Sequence, residues 1–234
     1  LEDILTKAFP ETAVSRMDSD TTRKVDGHEK ILDAFRRGEF QILVGTQMVT
    51  KGLDFPNVTV VGVVNADMSL NFPDFRSTER TFQLVAQVAG RAGRSELGGR
   101  VVVQTFNPDS AAMVYAEKHD YLGFAHEELG HRRMMEYPPF GRLARVLVLS
   151  KSDAEAERAI QGVRERIEAA GLPDGAHLVG PAQAPIARIA GQFRWHMLVK
   201  APTAKALHRT LAPIRNEGAP KKSVQISVDV DPVS

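Results

Sequence analysis

Ile42-Leu43-Val44 runs without a break into Gly45-Thr46-Gln47-Met48-Val49-Thr50-Lys51-Gly52-Leu53-Asp54-Phe55-Pro56, and this stretch decides the fold. The apolar run 40–44 reads as a buried strand. The residues after it are small, polar or charged, so the strand feeds a loop. In an α/β sheet the functional loops lie at the carboxyl ends of the strands. Here Thr46 and Thr50 offer hydroxyls, and Gly52 lets another group approach the backbone closely. Asp54 offers a carboxylate able to hold a water or a magnesium shell. The same residues also suit a plain strand-to-helix turn in which Asp54 acts as a cap.

Outward from this stretch the pattern repeats. Residues 1–5 read as a helix already in progress, with no initiator Met and no cap, as in a piece cut from a longer chain. Ala13 and Val14 lead to Met17 as a short strand, and a polar stretch follows. Ile31, Leu32, Ala34 and Phe35 recur at helical spacing and stop at Gly38. Residues 58–64 are apolar and β-branched, a strand expected to be buried on both faces. Residues 76–92 predict a helix, and Val101-Val102-Val103 a third apolar strand, bounded by Gly98-Gly99 and Pro108. Helices alternating with continuous apolar strands predict an α/β layer on a parallel sheet.

A second informative loop is Gln87-Val88-Ala89-Gly90-Arg91-Ala92-Gly93-Arg94. Its two arginines are three apart, on one face if helical. The glycines keep that face low, so guanidinium forks over bare backbone can meet phosphate oxygens. A lone Arg here would suit a helix end complementing the dipole. The whole string favours the phosphate reading.

Composition limits the alternatives. The chain has 234 residues, 43% hydrophobic and 25% charged, enough for one large domain or two modest ones. It has no apolar stretch of membrane-spanning length and no signal-peptide pattern. It contains no cysteine, which excludes disulfides and thiolate metal sites within the chain and suits a cytoplasmic location. Residues 1–120 hold 14 Lys and Arg against 17 Asp and Glu, a net of −3, and the rest hold 16 against 12, a net of +4. That tilt permits a nucleic-acid surface on the second half without demanding one.

Residues 109–135 predict a helical connection interrupted at Lys118-His119-Asp120. His126 and His131 are five apart, on different faces, and read as surface histidines rather than a metal pair. Pro138-Pro139 closes the connection. Beyond it, strands are expected at 143–149, 177–180, 193–199 and 224–230, with helices at 154–169 and 203–217 and a loop at 181–191. The order predicts a small α+β domain of the split βαβ type. Three regions follow: 1–108, 109–140 and 141–234. Arg188, Arg194, Trp195 and His196 fall on one hairpin suited to stacking and phosphate contact on DNA. Strand alternation sends Arg194 and His196 to the face opposite Trp195, so Trp195 either stacks on a base or fills the core.

Residues 42–52 and 87–94 together resemble motifs V and VI of superfamily 2 helicases. Four further segments resemble the PriA family of replication-restart DNA helicases more narrowly. They are Asp74-Phe75-Arg76-Ser77-Thr78-Glu79-Arg80, Arg132-Arg133-Met134-Met135 with Tyr137-Pro138-Pro139-Phe140, Phe193-Arg194-Trp195, and Asp229-Val230-Asp231-Pro232. The resemblance implies the second RecA-like lobe of a motor, incomplete at its start, in which ATP and Mg2+ lie between two lobes of the intact protein. It implies Arg94 as arginine finger, Arg91 as its partner, and Gln87 positioning the nucleotide or attacking water. Gly52 and Asp54 would sense the nucleotide, and Thr46, Gln47 and Lys51 would face the DNA backbone. Forked and single-stranded DNA, single-strand binding protein and primosome components are the implied partners. The family's cysteine-rich zinc module and first lobe are missing, so the chain alone is expected neither to hydrolyse ATP nor to bind zinc. The alternative is a DNA- or protein-interaction module with no motor role. Asp67 is expected to be a structural or domain-coupling residue.

Overall fold

The computed structural model describes residues 1–17, 27–46, 58–92, 99–215 and 223–232. The chain divides into two compact units, Leu1–Asn71 with Thr78–Tyr121, and Phe72–Ser77 with Leu122–Ser234.

The first unit contains α1 (Glu2–Ala8), β1 (Val14–Met17), α2 (Gly27–Arg36), β2 (Ile42–Gly45), β3 (Val60–Val63), α3 (Asp67–Leu70), most of α4 (Ser77–Ala92), β4 (Arg100–Val103) and α5 (Ala111–Glu117). Both strand pairs are parallel: Val14 lies beside Ile42 in β1–β2, and Val60 beside Arg100 in β3–β4. Among the described residues these are two separate two-stranded sheets. The expectation of strands buried on both faces needs correction. Val60 is 61% and Val102 53% exposed, while their neighbours Val61 and Val101 are half-buried. Alternating exposure means that β3 and β4 are covered on one face only. In α4, Thr81, Phe82, Val85 and Val88 are buried at helical spacing and form its packing stripe. Phe82 meets Tyr121 with ring centroids 6.2 Å apart.

The second unit takes in the short stretch Phe72–Ser77 and α6 (Tyr121–Met134) from Leu122 onward. It continues through β5 (Arg142–Ser150), α7 (Asp153–Ala169), β6 (His177–Ile189), β7 (Gln192–Ala201), α8 (Ala204–Arg215) and β8 (Val224–Val230). The strands line up as β6-β7-β5-β8, and every neighbouring pair is antiparallel. β5 and β6, joined through α7, therefore run the same way with β7 inserted between them. Ala144, Val146 and Val148 of β5 and Met197 and Val199 of β7 form the core with Ile160, Val163 and Ile167 of α7 and Leu207 and Leu211 of α8. Strand alternation turns Arg145, Leu147 and Leu149 to the opposite face, beside His196 and Arg194.

The break expected at Lys118-His119-Asp120 is present. α5 stops at Glu117, α6 starts at Tyr121, and His119 adopts φ 53° between them. The loop expected at 181–191 is instead strand. β6 runs through to Ile189 against β7, with register shifts between Val179 and Ala182 and between Gln183 and Arg188. Bulges absorb Pro181, which has no N–H to give the ladder. Gly180 makes the first of them possible. Its φ is +97°, and a Cβ there would lie 3.2 Å from the His196 carbonyl oxygen.

Candidate nucleotide and nucleic-acid site

The expected motor residues fall at two places in the first unit. β2 ends at Gly45, and Thr46 follows it, exposed, at the edge of a cleft of about 300 Å3 lined also by Arg16, Met17 and Val44. Gln47, Lys51, Gly52 and Asp54 lie outside the described residues. On α4, Gln87 is exposed between the buried Val85 and Val88, so the packing stripe turns it outward. Arg91 is one helical turn further on, in the last turn of the same helix. Arg94 lies outside the described residues.

Asp67 opens α3, just past the carboxyl end of β3, and is only 7% exposed. Its carboxylate accepts three hydrogen bonds from the chain after β4. The Thr105 hydroxyl donates at 3.0 Å, the Phe106 amide at 2.9 Å and the Asn107 side-chain amide at 2.6 Å. The Asn107 bond, then the Phe106 bond, hold its pKa below the ordinary carboxylate value against the opposing effect of burial. Asp67 thus buckles together the carboxyl ends of β3 and β4.

The tail hairpin sorts its side chains by face. Trp195 lies opposite Val148 and packs against the core, and its indole N–H donates to Asp153 Oδ1 at 2.7 Å. The ring is half-buried, with one side packed against the core. Arg194, half-buried, donates to the Ile186 carbonyl at 3.2 Å. Arg188 is exposed, with its guanidinium 4.8 Å from the centre of the Phe193 ring on the neighbouring strand. His196 is half-buried. Desolvation, then the charges of Arg145 and Arg194, push its pKa below the usual histidine value and favour the neutral ring. Arg145 was not singled out in the sequence. Its position three residues into a strand, on the face of Leu147 and Leu149, was the available signal.

Among the described residues, no group of three or more His, Cys, Asp or Glu could hold a metal ion, and no helix is long and apolar enough to cross a membrane. His126 and His131 are both exposed on α6.

Residues 1–96 match the family model described as helicase conserved C-terminal domain, and residues 133–233 match that of the primosomal protein N C-terminal domain. The replication restart protein PriA of Synechocystis sp. is 44% identical over 233 residues, which are 99% of this chain and 28% of that protein. The PriA protein of Bacillus subtilis is 43% identical over 99% of this chain and 29% of its own length. That of Treponema pallidum is 37% identical over the whole chain and 35% of its own length. The chain thus spans between 28% and 35% of the length of these relatives.

Proposed function

We propose that the chain, which resembles the replication restart protein PriA along its whole length, is a member of that family and the C-terminal portion of an ATP-dependent DNA helicase acting in replication restart and primosome assembly. Its residues 1–108 are the second RecA-like lobe, 109–140 a helical connection, and 141–234 a split βαβ domain that binds DNA or a partner. The observation that carries the reading is the order of the two family matches along one chain, with the Gln87–Arg91 turn of α4 inside the first.

In this reading ATP and Mg2+ bind in the intact protein between this lobe and a first lobe supplied by the longer chain. Arg94, with Arg91, stabilises charge developing on the transferred phosphate, where preorganised cations contribute most. Gln87, turned outward by the packing of α4, orients the nucleotide or the attacking water. Gly52 and Asp54 report nucleotide occupancy. Thr46, Gln47 and Lys51 track the DNA backbone, and Arg188 and Arg194 extend that contact on the tail. Forked or single-stranded DNA, single-strand binding protein and primosome components are its partners. The tail contacts assigned to Arg188 and Arg194 are electrostatic.

The test is Arg94→Ala in the intact protein. DNA-dependent ATP hydrolysis falls by about three to five orders of magnitude, the worth of an arginine finger, while DNA affinity is nearly unchanged. Loss of DNA binding with turnover retained would make Arg94 a DNA contact instead. Robust DNA-stimulated hydrolysis by the isolated 234-residue chain would remove the need for a first lobe.

A further inference from the structure

The two edges of the tail sheet are unlike. β6 forms one of them. It carries Pro181 and Pro185, two register shifts and the exposed Arg188, the devices by which natural edges resist pairing. β8 forms the other, and among the described residues it has β5 on one side and no strand on the other. Its 7 residues, Val224–Val230, pair with β5 without a shift and include no Pro, Lys or Arg. The strand is also firmly seated within its unit. Asp229 accepts from Arg145 at 3.2 Å, and Arg76 donates to the carbonyl of Pro232, just past the strand, at 3.1 Å. The guanidiniums of Arg76 and Arg132 lie 4.7 Å and 5.0 Å from the centre of the Phe75 ring, which stacks on Tyr137 with centroids 5.2 Å apart.

The register shows which backbone groups β8 leaves open. The Asp231 amide donates to the Leu143 carbonyl at 2.8 Å, and Leu143 lies directly opposite Asp231 when the β5–β8 register is continued by one residue. Gln225, Ser227 and Asp229, of the same parity, therefore direct their N–H and C=O groups to β5, and Val224, Ile226, Val228 and Val230 turn theirs outward. The side chains of these four lie on the helix-covered face. Val224 and Ile226 pack against the core, while Val228 and Val230 are 40% and 49% exposed beside a cavity of about 220 Å3 lined also by His208 and Leu211 of α8. Such a strand is complementary to itself. Antiparallel pairing about a two-fold axis at Ser227 sets Ile226 against Val228 of the partner subunit, and Val224 against Val230 of the partner subunit. All four outward residues then sit in hydrogen-bonded pairs, giving about eight ladder bonds. Their side chains make one apolar layer. On the opposite face Gln225 meets Asp229 of the partner subunit, an amide donor against a carboxylate, and no like charges are opposed. We propose that β8 is a self-association edge, which pairs with β8 of a second copy and joins the two tail sheets into one. The interface uses the same patch on both copies and closes on itself. It concerns the tail sheet alone and does not rest on the motor reading.

The test is sedimentation velocity on the 234-residue chain over a concentration series. A ladder of 7 residues per copy makes a small interface, so a monomer–dimer equilibrium is expected with a Kd on the order of 10–100 µM. Gln225→Asp opposes like charges at both ends of the two-fold pairing and weakens the dimer about 2- to 30-fold. Gln225→Lys sets a cation against Asp229 of the partner subunit and tightens the dimer by a similar factor. Gln225 is exposed, so both variants keep the wild-type melting temperature. Val228→Pro removes an N–H that β5 does not use, and abolishes the dimer while the circular dichroism of the fold is retained. A chain that stays monomeric at about 500 µM overturns the proposal and leaves the edge to an extended segment of another protein. A dimer indifferent to all three substitutions, or weakened alike by Asp and Lys at position 225, overturns it too, because the contact then lies elsewhere.

Discussion

Replacing Trp195 by Phe separates a core ring from a DNA-stacking ring. The indole N–H to Asp153 bond, at 2.7 Å, is charge-assisted and joins β7 to the first turn of α7, where an acid also complements the helix dipole. Hydrogen bonds to charged groups contribute about 1.5–3 kcal/mol, and the partial exposure of Asp153 points to the lower end. The smaller ring adds about 1 kcal/mol of reduced burial. The sum, about 2.5 kcal/mol, lowers the melting point of a domain of this size by about 10 °C at ~4 °C per kcal/mol. Calorimetry of the 234-residue chain reads the shift. Trp195 is the only tryptophan in the sequence, so wild-type fluorescence identifies the transition of the unit that holds it. Pairing the change with Asp153→Ala gives a double-mutant cycle with a coupling of about 1 kcal/mol. A melting shift below about 2 °C together with weakened DNA binding would refute the core assignment.

Three further outcomes are expected. Glu128→Ala removes the carboxylate 2.7 Å from the nearly buried Arg132 and costs about 3 kcal/mol by urea denaturation, more than half of which Glu128→Leu/Arg132→Met regains. Asp67 has a depressed pKa in the folded protein, so its contribution is fully present above the unfolded carboxylate value of about 4 and is lost as pH falls through the lower folded value. Asp67→Asn therefore flattens the acid limb of the urea midpoint against pH, and an unchanged limb would assign the acid sensitivity to other groups. Forked-DNA binding by the 234-residue chain is weak, with a shallow salt slope. Arg188→Ala/Arg194→Ala reduces that slope by about 2, one unit for each phosphate no longer neutralised, whereas equal binding would leave partner docking as the use of the hairpin.

Much of the local architecture was readable from residue pattern. The helix break at Lys118-His119-Asp120 was legible because polar residues interrupt an apolar spacing, and the α7 stripe of Ile160, Val163 and Ile167 because the amphipathic period is regular. The extent of β6 was not. Gly180 and Pro181 are loop residues by propensity, and only pairing with β7 overrides that preference. The exposed faces of β3 and β4 were also hidden, since a run such as Val60, Val61, Gly62, Val63 carries no alternation to reveal a one-sided strand. Of the candidate site, the carboxyl-end loops could be named from residue type and order, but the three donors to Asp67 could not. They arrive from 38 to 40 residues away. Membership of Phe75 and Arg76 in the second unit was equally invisible, because it depends on packing against α6, Tyr137 and Pro232.

The bond from Arg76 to the Pro232 carbonyl spans 156 positions of sequence. As such a chain leaves the ribosome, the stretch 72–77 emerges long before the strand end it docks against. Loop-closure entropy makes so distant a pairing a late event. The first unit can assemble while its inserted segment stays unclaimed, and the tail becomes complete only when its last strand is synthesised. The same discontinuity bears on dissection of the molecule. A single scission after Tyr121 yields a tail piece without Phe75 and Arg76, exposing the rings and cations they cover. Isolated tail pieces are therefore expected to be more prone to self-association than the intact chain.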